Sequence, residues 1–444
     1  MTEGIAAVSK RRIPLYVWIL IGLVVGVGLG ILLRSSASPD TTQWIVTNVT
    51  KPIGTIWMRL IFMTVVPLVF SALAMGAAGM GELARLGRVG VKTLLFTVAI
   101  SAVAVVIGMT LVNVIRPGEG LPADAVNQLR AEFKKGDEAV AKAKAAKSVP
   151  DTLVDIVPMN PIEEAASAFN SPRGGMLAVM FFALMFGIAL ASTRAEKAEP
   201  VTRFLEGMYE VLMKLIGWAM VAAPIGVAAL MCSTTATLGT KFLEPLAKYV
   251  AVVIIGLALH QFGVYSLILR FLVGVNPLTF FKRIQEVMAT AFATASSNAT
   301  LPTTLKVSQE KVGVSKEVSN FVLTLGSTAN QNGTALFEGI TVLFMAQFFG
   351  IDLTLGQQVI VMLMSILAGI GTAGVPGGSL PLIVLVMQSV GIPGEGIGII
   401  LGVDRILDMC RTTVNVTGDI VVASYISKSE GHPLQLSPVA AAGQ

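Results

Sequence analysis

GVDRILDMCRTTVNVTGD, Gly402 to Asp419, continues the apolar run GIGIILGV and leads into IVVASYI, so a membrane-type helix carries Asp404, Arg405, Asp408, Arg411, Asn415 and Asp419. At about 100° per residue, Asp404, Arg411, Thr412, Asn415 and Asp419 all lie within about 60° of Asp408, with Arg405 at the margin. Ile406, Leu407, Met409, Val414 and Val416 form the other face. The polar stripe therefore turns away from lipid, which penalises such groups. Its chemistry suits a zwitterion with an acidic side chain. Arg411 offers a planar fork for a carboxylate, Asp408 an anion for an ammonium group, Asn415 a donor for a second carboxylate, and Asp419 an anion for a metal cation. The residues leave a second reading open: Asp408 and Arg411, at i and i+3, can neutralise each other as a structural ion pair.

Composition sets the class around this stretch. The chain has 444 residues, 54% hydrophobic and 13% charged, with mean hydropathy +0.76; soluble domains run to about a quarter charged. An all-α polytopic membrane protein is expected. Forty-four glycines and twenty prolines suit membrane helices that pack closely and break. Cys232 and Cys410 lie far apart in apolar segments and make neither a disulfide framework nor a zinc pattern. The net charge of +5 is an orientation signal rather than a nucleic-acid footprint, because basic residues cluster at helix ends such as SKRR, Ser9 to Arg12. That cluster predicts a cytoplasmic amino terminus, residues 1–12, followed by a retained helix rather than a cleaved leader.

Apolar segments are expected near 13–33, 53–79, 91–115, 176–192, 211–231 and 249–273. Between the third and fourth, residues 119–150 are rich in Ala, Lys and Glu and read as an extracellular charged insertion. An interfacial amphipathic stretch, DTLVDIVPMNPIEEA, follows. Beyond residue 276 the apolar runs are interrupted at ATASSNATLPTT (Ala293 to Thr304), GSTANQNGTALFEG (Gly326 to Gly339) and GIGTAGVPGGSLP (Gly369 to Pro381). The first and third predict re-entrant hairpins, because broken backbone at membrane depth must be buried in protein or line a cavity. In the middle one, Asn330 to Gly333 predicts local unwinding that frees carbonyls for a cation. The alternative there is a buried amide pair serving its own backbone. Glu338, with no basic residue near it in sequence, is the candidate proton carrier.

GVDRILDMCRTTVNVTGD, NQNGTALFEG, GIGTAGVPGG and SSNATLPTT together closely resemble the signature segments of the dicarboxylate/amino acid:cation symporter family, which includes the glutamate transporters. The resemblance covers nearly the whole chain. It implies a homotrimer in the bacterial inner membrane with both termini cytoplasmic. Each protomer would have eight transmembrane helices and two re-entrant helical hairpins, in a glutamate-transporter-like elevator fold. Scaffold helices would occupy 13–80 and 151–240. The transport domain would occupy 81–118 and 241–428, ahead of a cytoplasmic tail, 429–444. The implied substrate pocket is Ser296, Ser297, Thr334, Val375, Ser379, Asp408, Arg411, Thr412 and Asn415. Arg411 would grip the side-chain carboxylate, Asp408 the amino group and Asn415 the α-carboxylate. Neutral-substrate members lack the arginine and amine-free dicarboxylate members lack the aspartate, so glutamate and aspartate are the expected substrates.

The departures from the family pattern concern coupling. Gln331 and Asn332 replace the methionine and aspartate of the sodium-coupled motif, and Thr97 and Ile100 replace its tyrosine and threonine partners, with Ser101 kept. That deep sodium site is expected to be lost. Candidate sodium ligands remain at Gly326, Thr328, Asn330, Asn415 and Asp419. Glu338 stands where proton-coupled animal relatives carry their protonatable glutamate. The expected function is uptake of acidic amino acids, with protons the favoured coupling ion and no other cofactor. Sodium-coupled acidic amino acid or C4-dicarboxylate symport is the alternative. Arg405 takes the place of an arginine found at Ala295 or next to the substrate aspartate in relatives. An enzyme is not expected, since His260 and His432 lie away from every signature segment. An anion channel remains the competing class and would show flux independent of substrate.

Overall fold

Each expected apolar run becomes helical, and prolines decide where two of them divide. The computed structural model describes residues 15–85, 88–120, 154, 157–166, 175–371, 379–432 and 434. The amino-terminal basic cluster, nearly all of the charged insertion and most of the tail lie outside these residues. The first run is α1 (Leu15–Ser36). The second splits into α2 (Lys51–Phe62) and α3 (Val65–Arg85). Pro67 has no N–H for the carbonyl four residues earlier, and at this break the Thr64 hydroxyl donates to Ile61 O at 2.7 Å. The third is α4 (Arg88–Ile115) and the fourth α5 (Gly175–Ser192).

The run expected near 211–231 is two helices, α6 (Ala195–Val221) and α7 (Ala223–Leu238), meeting at a bend of 56°. Pro224 withholds an N–H from the end of α6, and the Trp57 indole N–H of α2 donates to the Ala219 carbonyl there at 2.8 Å. The sixth run, α8 (Leu243–Ala258), continues through wider π-helical turns to Val273. Among the described residues, four helical stretches are long and apolar enough to cross a membrane: Val17–Ser36, Pro39–Met75, Arg88–Ile115 and Leu243–Val273. The bent pair α6–α7 would be a fifth.

The last third is built of broken helices, as its polar interruptions predict. α9 (Pro277–Thr294) and α10 (Ser297–Val307) fold back on one another across Ala295 and Ser296. Ala295 takes a left-handed φ of +48°, uncommon for a residue with a Cβ. The Ser296 hydroxyl accepts from Ala299 N at 3.2 Å and so caps α10. α11 (Lys316–Ala329) and α12 (Asn332–Phe348) are separated by non-helical Asn330 and Gln331. α13 (Leu355–Gly371) and α14 (Leu380–Ser389) flank 372–378, which lie outside the described residues. α15 (Leu401–Ser429) is continuous for 29 residues and carries the stretch quoted above.

The helices pack in two groups. α1 lies on α7 through Gly22, Gly26 and Gly30, where a Cβ would come within 2.3 Å of Pro224 O, 2.4 Å of Ala228 O and 2.6 Å of Thr235 Cβ. Such a stripe lets two backbones touch, the usual basis of helix association in lipid. α3 packs on α5 and α6, and α2 on α7. In the second group α12 packs on α4, α8 and α13, while α15 is surrounded by α8, α9, α11 and α12 and meets α1 of the first group at Gly402 and Leu23. There is no strand among the described residues.

Candidate functional site

The amino-terminal half of α15 carries a neutral quartet of charges. Arg411 is only 1% exposed. Its Nε donates to Asp408 Oδ1 at 3.0 Å and its Nη1 to Asp404 Oδ1 at 3.2 Å. Arg405 Nη1 donates to the other oxygen of Asp408 at 3.3 Å. The Arg411 guanidinium also lies 4.2 Å from the ring centre of Phe337 on α12, a distance at which the ring face attracts a cation. The pairing of Asp408 with Arg411 that the sequence left open is therefore present, and Asp404 joins it.

One turn further on, Asn415 ties α15 to the break between α11 and α12. Its Oδ1 accepts from the backbone N–H of Gly333 at 2.7 Å and of Thr334 at 3.3 Å. Its Nδ2 donates to Gln331 Oε1 at 2.5 Å and to Thr334 Oγ1 at 3.0 Å. A side chain from another helix thus caps the first turn of α12, whose leading N–H groups have no partner within the helix. Gln331 Nε2 in turn donates to Ser327 O at 3.0 Å and approaches Ser297 Oγ at 3.5 Å. Ser297, Gln331, Thr334 and Asn415 are thereby joined, linking the tip of the α9–α10 hairpin to the unwound centre.

Three turns beyond Asp408 on the same face, Asp419 is buried and accepts from Asn330 Nδ2 at 2.8 Å. Gly326 faces it so closely that a Cβ would lie 2.4 Å from Asp419 Oδ1. Asn330 Oδ1 has no partner among the described residues and borders a small crevice lined also by Thr93, Thr97 and Gly326. Leu94, Val322, Leu325 and Val422 complete the lining, so the crevice is largely apolar apart from the two threonines and Asn330. Asn332, by contrast, is engaged at both ends by neutral groups: Ser101 Oγ donates to its Oδ1 at 2.6 Å, and its Nδ2 donates to Tyr265 Oη at 3.1 Å. Ile100 is buried beside Ser101 on α4 and offers no oxygen.

Other expected site residues stand apart from these hydrogen-bonded groups. Glu338 is 0% exposed, and neither carboxyl oxygen has a hydrogen-bond partner among the described residues. Ser379 is buried with its hydroxyl likewise unpartnered at the start of α14. Ser296 serves as the cap of α10, and Thr412 is buried next to Arg411. Thr328 is placed only as part of the last turn of α11, and Val375 lies outside the described residues. Sequence reading did not single out Phe337, Tyr265 or the partners of Gln331. The signal available was the placement of an amide where the family pattern has a thioether. No group of three or more His, Cys, Asp or Glu side chains that could hold a metal occurs among the described residues.

At the far end of α15, outside the spanning segments, Arg88 and Lys92 of α4 close on Glu430 at 2.8 and 2.5 Å. Hydrogen bonds from these two cations hold its carboxyl down at about 2. The clamp fixes the end of α15 to the start of α4.

Apolar helices surrounding broken half-helices that meet at a buried polar centre define the class of membrane transporters. More narrowly, the chain belongs to the sodium:dicarboxylate symporter family, whose model matches residues 15–429. It is 35% identical over 413 residues to the proton/glutamate-aspartate symporter of Escherichia coli (strain K12), covering 93% of this chain and 92% of that one. It is 35% identical over 421 residues to the proton/sodium-glutamate symport protein of Bacillus caldotenax, covering 95% and 96%. A C4-dicarboxylate transport protein of Rhodospirillum rubrum is 33% identical over 418 residues, covering 94% and 88%.

Proposed function

We propose that this chain is a secondary symporter that takes up glutamate and aspartate across the bacterial inner membrane, with protons as the favoured coupling ion. The observation that carries the reading is Arg411, a buried guanidinium held between the carboxylates of Asp404 and Asp408. A ligand carboxylate takes the place of one of them, while Asp408, so released, receives the ligand's ammonium group. Asn415 and Ser297 hold the α-carboxylate, with Thr334, Thr412, Ser296, Val375 and Ser379 closing the pocket. Glu338, buried without a partner, carries the proton. Sodium is the alternative coupling ion, held at Asp419 with Gly326, Thr328, Asn330 and Asn415; relatives named for both ions support keeping it.

Transport proceeds by an elevator motion in a homotrimer of eight-span protomers with two re-entrant hairpins. The two packing groups support the division: α1, α2, α3, α5, α6 and α7 form the scaffold, and α4 with α8 to α15 forms the moving body that carries every pocket residue named. The test is uptake of labelled aspartate, glutamate and succinate into proteoliposomes with proton and sodium gradients imposed separately. Accumulation of aspartate or glutamate driven by the proton gradient is expected. Accumulation driven by sodium alone and indifferent to pH moves the coupling assignment to Asp419. Accumulation of succinate alone overturns the amino acid assignment, and flux that never exceeds the gradient makes the protein a channel.

A further inference from the structure

Asn415 has no hydrogen-bonding capacity to spare. A side-chain amide offers two donors and two acceptor lone pairs, and all four are taken, by the N–H groups of Gly333 and Thr334, by Thr334 Oγ1 and by Gln331 Oε1. A carboxylate can reach Asn415 Nδ2 only by displacing a partner. The two backbone N–H groups begin α12, and they bond the oxygen rather than the nitrogen of Asn415. Of the two acceptors on Nδ2, Thr334 Oγ1 is fixed one atom from the helix backbone. Gln331 Oε1 sits at the end of a longer side chain, on a residue outside both helices. Its contact, at 2.5 Å, is also the shorter of the two.

We infer that Gln331 is a built-in competitor for the substrate carboxylate: its side-chain carbonyl accepts from Asn415 Nδ2, the donor that carboxylate needs, and must give that donor up for substrate to bind. The inference rests on the function proposed above and adds to it a residue that sets affinity. A carbonyl oxygen carrying no formal charge gives way to a carboxylate oxygen, since hydrogen bonds to charged acceptors are the stronger. The Gln331 amide nitrogen, held by Ser327 O at 3.0 Å, keeps its anchor in both states. That contact therefore cancels from the binding equilibrium, and what opposes substrate is the carbonyl's hold on Asn415, with a weaker contribution from the long Nε2 contact to Ser297 Oγ.

The test uses two substitutions that remove the competitor in different ways. Gln331→Met cannot accept a hydrogen bond of comparable strength, and Gln331→Asn keeps the amide but falls one methylene short of Asn415. Dissociation constants for aspartate, glutamate and succinate are measured by calorimetry on the purified full-length protein, alongside thermal unfolding. Both variants should bind the transported acid more tightly, by about fivefold, the equivalent of one neutral hydrogen bond no longer given up. A residue with only a structural role would leave affinity unchanged or lower it, and either result in both variants overturns the proposal. Should both variants fail to fold, the side-chain amide signal of Gln331 in ¹⁵N-glutamine-labelled wild type decides. It should shift when the transported acid is added, and a fixed signal overturns the proposal. Wild type that binds succinate but neither amino acid overturns the substrate assignment, while the same comparison on succinate still tests Gln331.

Discussion

Two sets of buried carboxylates lie within a few helical turns of each other and are treated in opposite ways. Asp404 and Asp408 on α15 are matched by Arg405 and Arg411, so that four charges cancel. Glu338 on α12 is buried at least as deeply and has no partner for its carboxyl oxygens among the described residues. An ion taken out of water without a counter-charge is strongly unfavourable, whereas a matched pair roughly breaks even. On the function proposed above, the paired carboxylates serve recognition and the unpaired one serves coupling, so the same functional group would take two roles in two environments.

Breaking the quartet should have the largest effect. Arg411→Cys leaves Asp404 and Asp408 with Arg405 alone, and removing one partner of a buried pair destabilises by about 3–5 kcal/mol; thermal unfolding should show it, and uptake of acidic amino acids should fall to background. Arg405→Gln removes a contact to Asp408 from a side chain that is 15% exposed, and about 1 kcal/mol is expected, in line with pairs nearer the surface. Glu338→Gln removes no pairing and should unfold thermally close to wild type. It should also abolish proton-driven accumulation while substrate exchange persists. If the variant kept the full pH dependence of uptake, Glu338 would not be the carrier.

The smallest effect tests the comparison outside the membrane. Glu430 is held at about 2 by Arg88 and Lys92, below the ordinary range for a glutamate in an unfolded chain, about 4.3. Its contribution to stability is therefore complete above that range and is lost as pH falls from there toward 2. Glu430→Gln should flatten the acid side of the thermal stability profile slightly and leave it unchanged at neutral pH and above in shape. An unaltered acid limb would mean that the clamp does not act in stability.

Much of this site was legible because lipid makes polar residues conspicuous. The stripe on α15 and the breaks at Ala295–Ser296 and Asn330–Gln331 stand out in apolar sequence, and the structure has both breaks where the polar residues predict them. The division of 211–231 into α6 and α7 was not legible. Membrane helices often tolerate proline, and the partner that meets the Ala219 carbonyl beside the bend at Pro224 is Trp57, more than 160 residues away in sequence. The partners of Asn415 were hidden for the same reason: 84 residues separate it from Gln331. Asp404 was visible on the stripe, but its bond to Arg411 spans seven residues, and only the length of an arginine side chain makes that reach possible. The loss of the aspartate at Asn332 and the retention of Ser101 beside it were plain in sequence, whereas the Tyr265 hydroxyl that also engages Asn332 came only with the fold.

The cap that Asn415 places on α12 makes the start of that helix depend on a residue 82 positions later in the chain. An unmet N–H in apolar surroundings is unfavourable by about 1–3 kcal/mol, so the first turn of α12 is expected to hold firmly only where α15 is packed against it. Amide exchange at Gly333 and Thr334 should accelerate in Asn415→Ala; protection equal to wild type would show that the helix start sets without it.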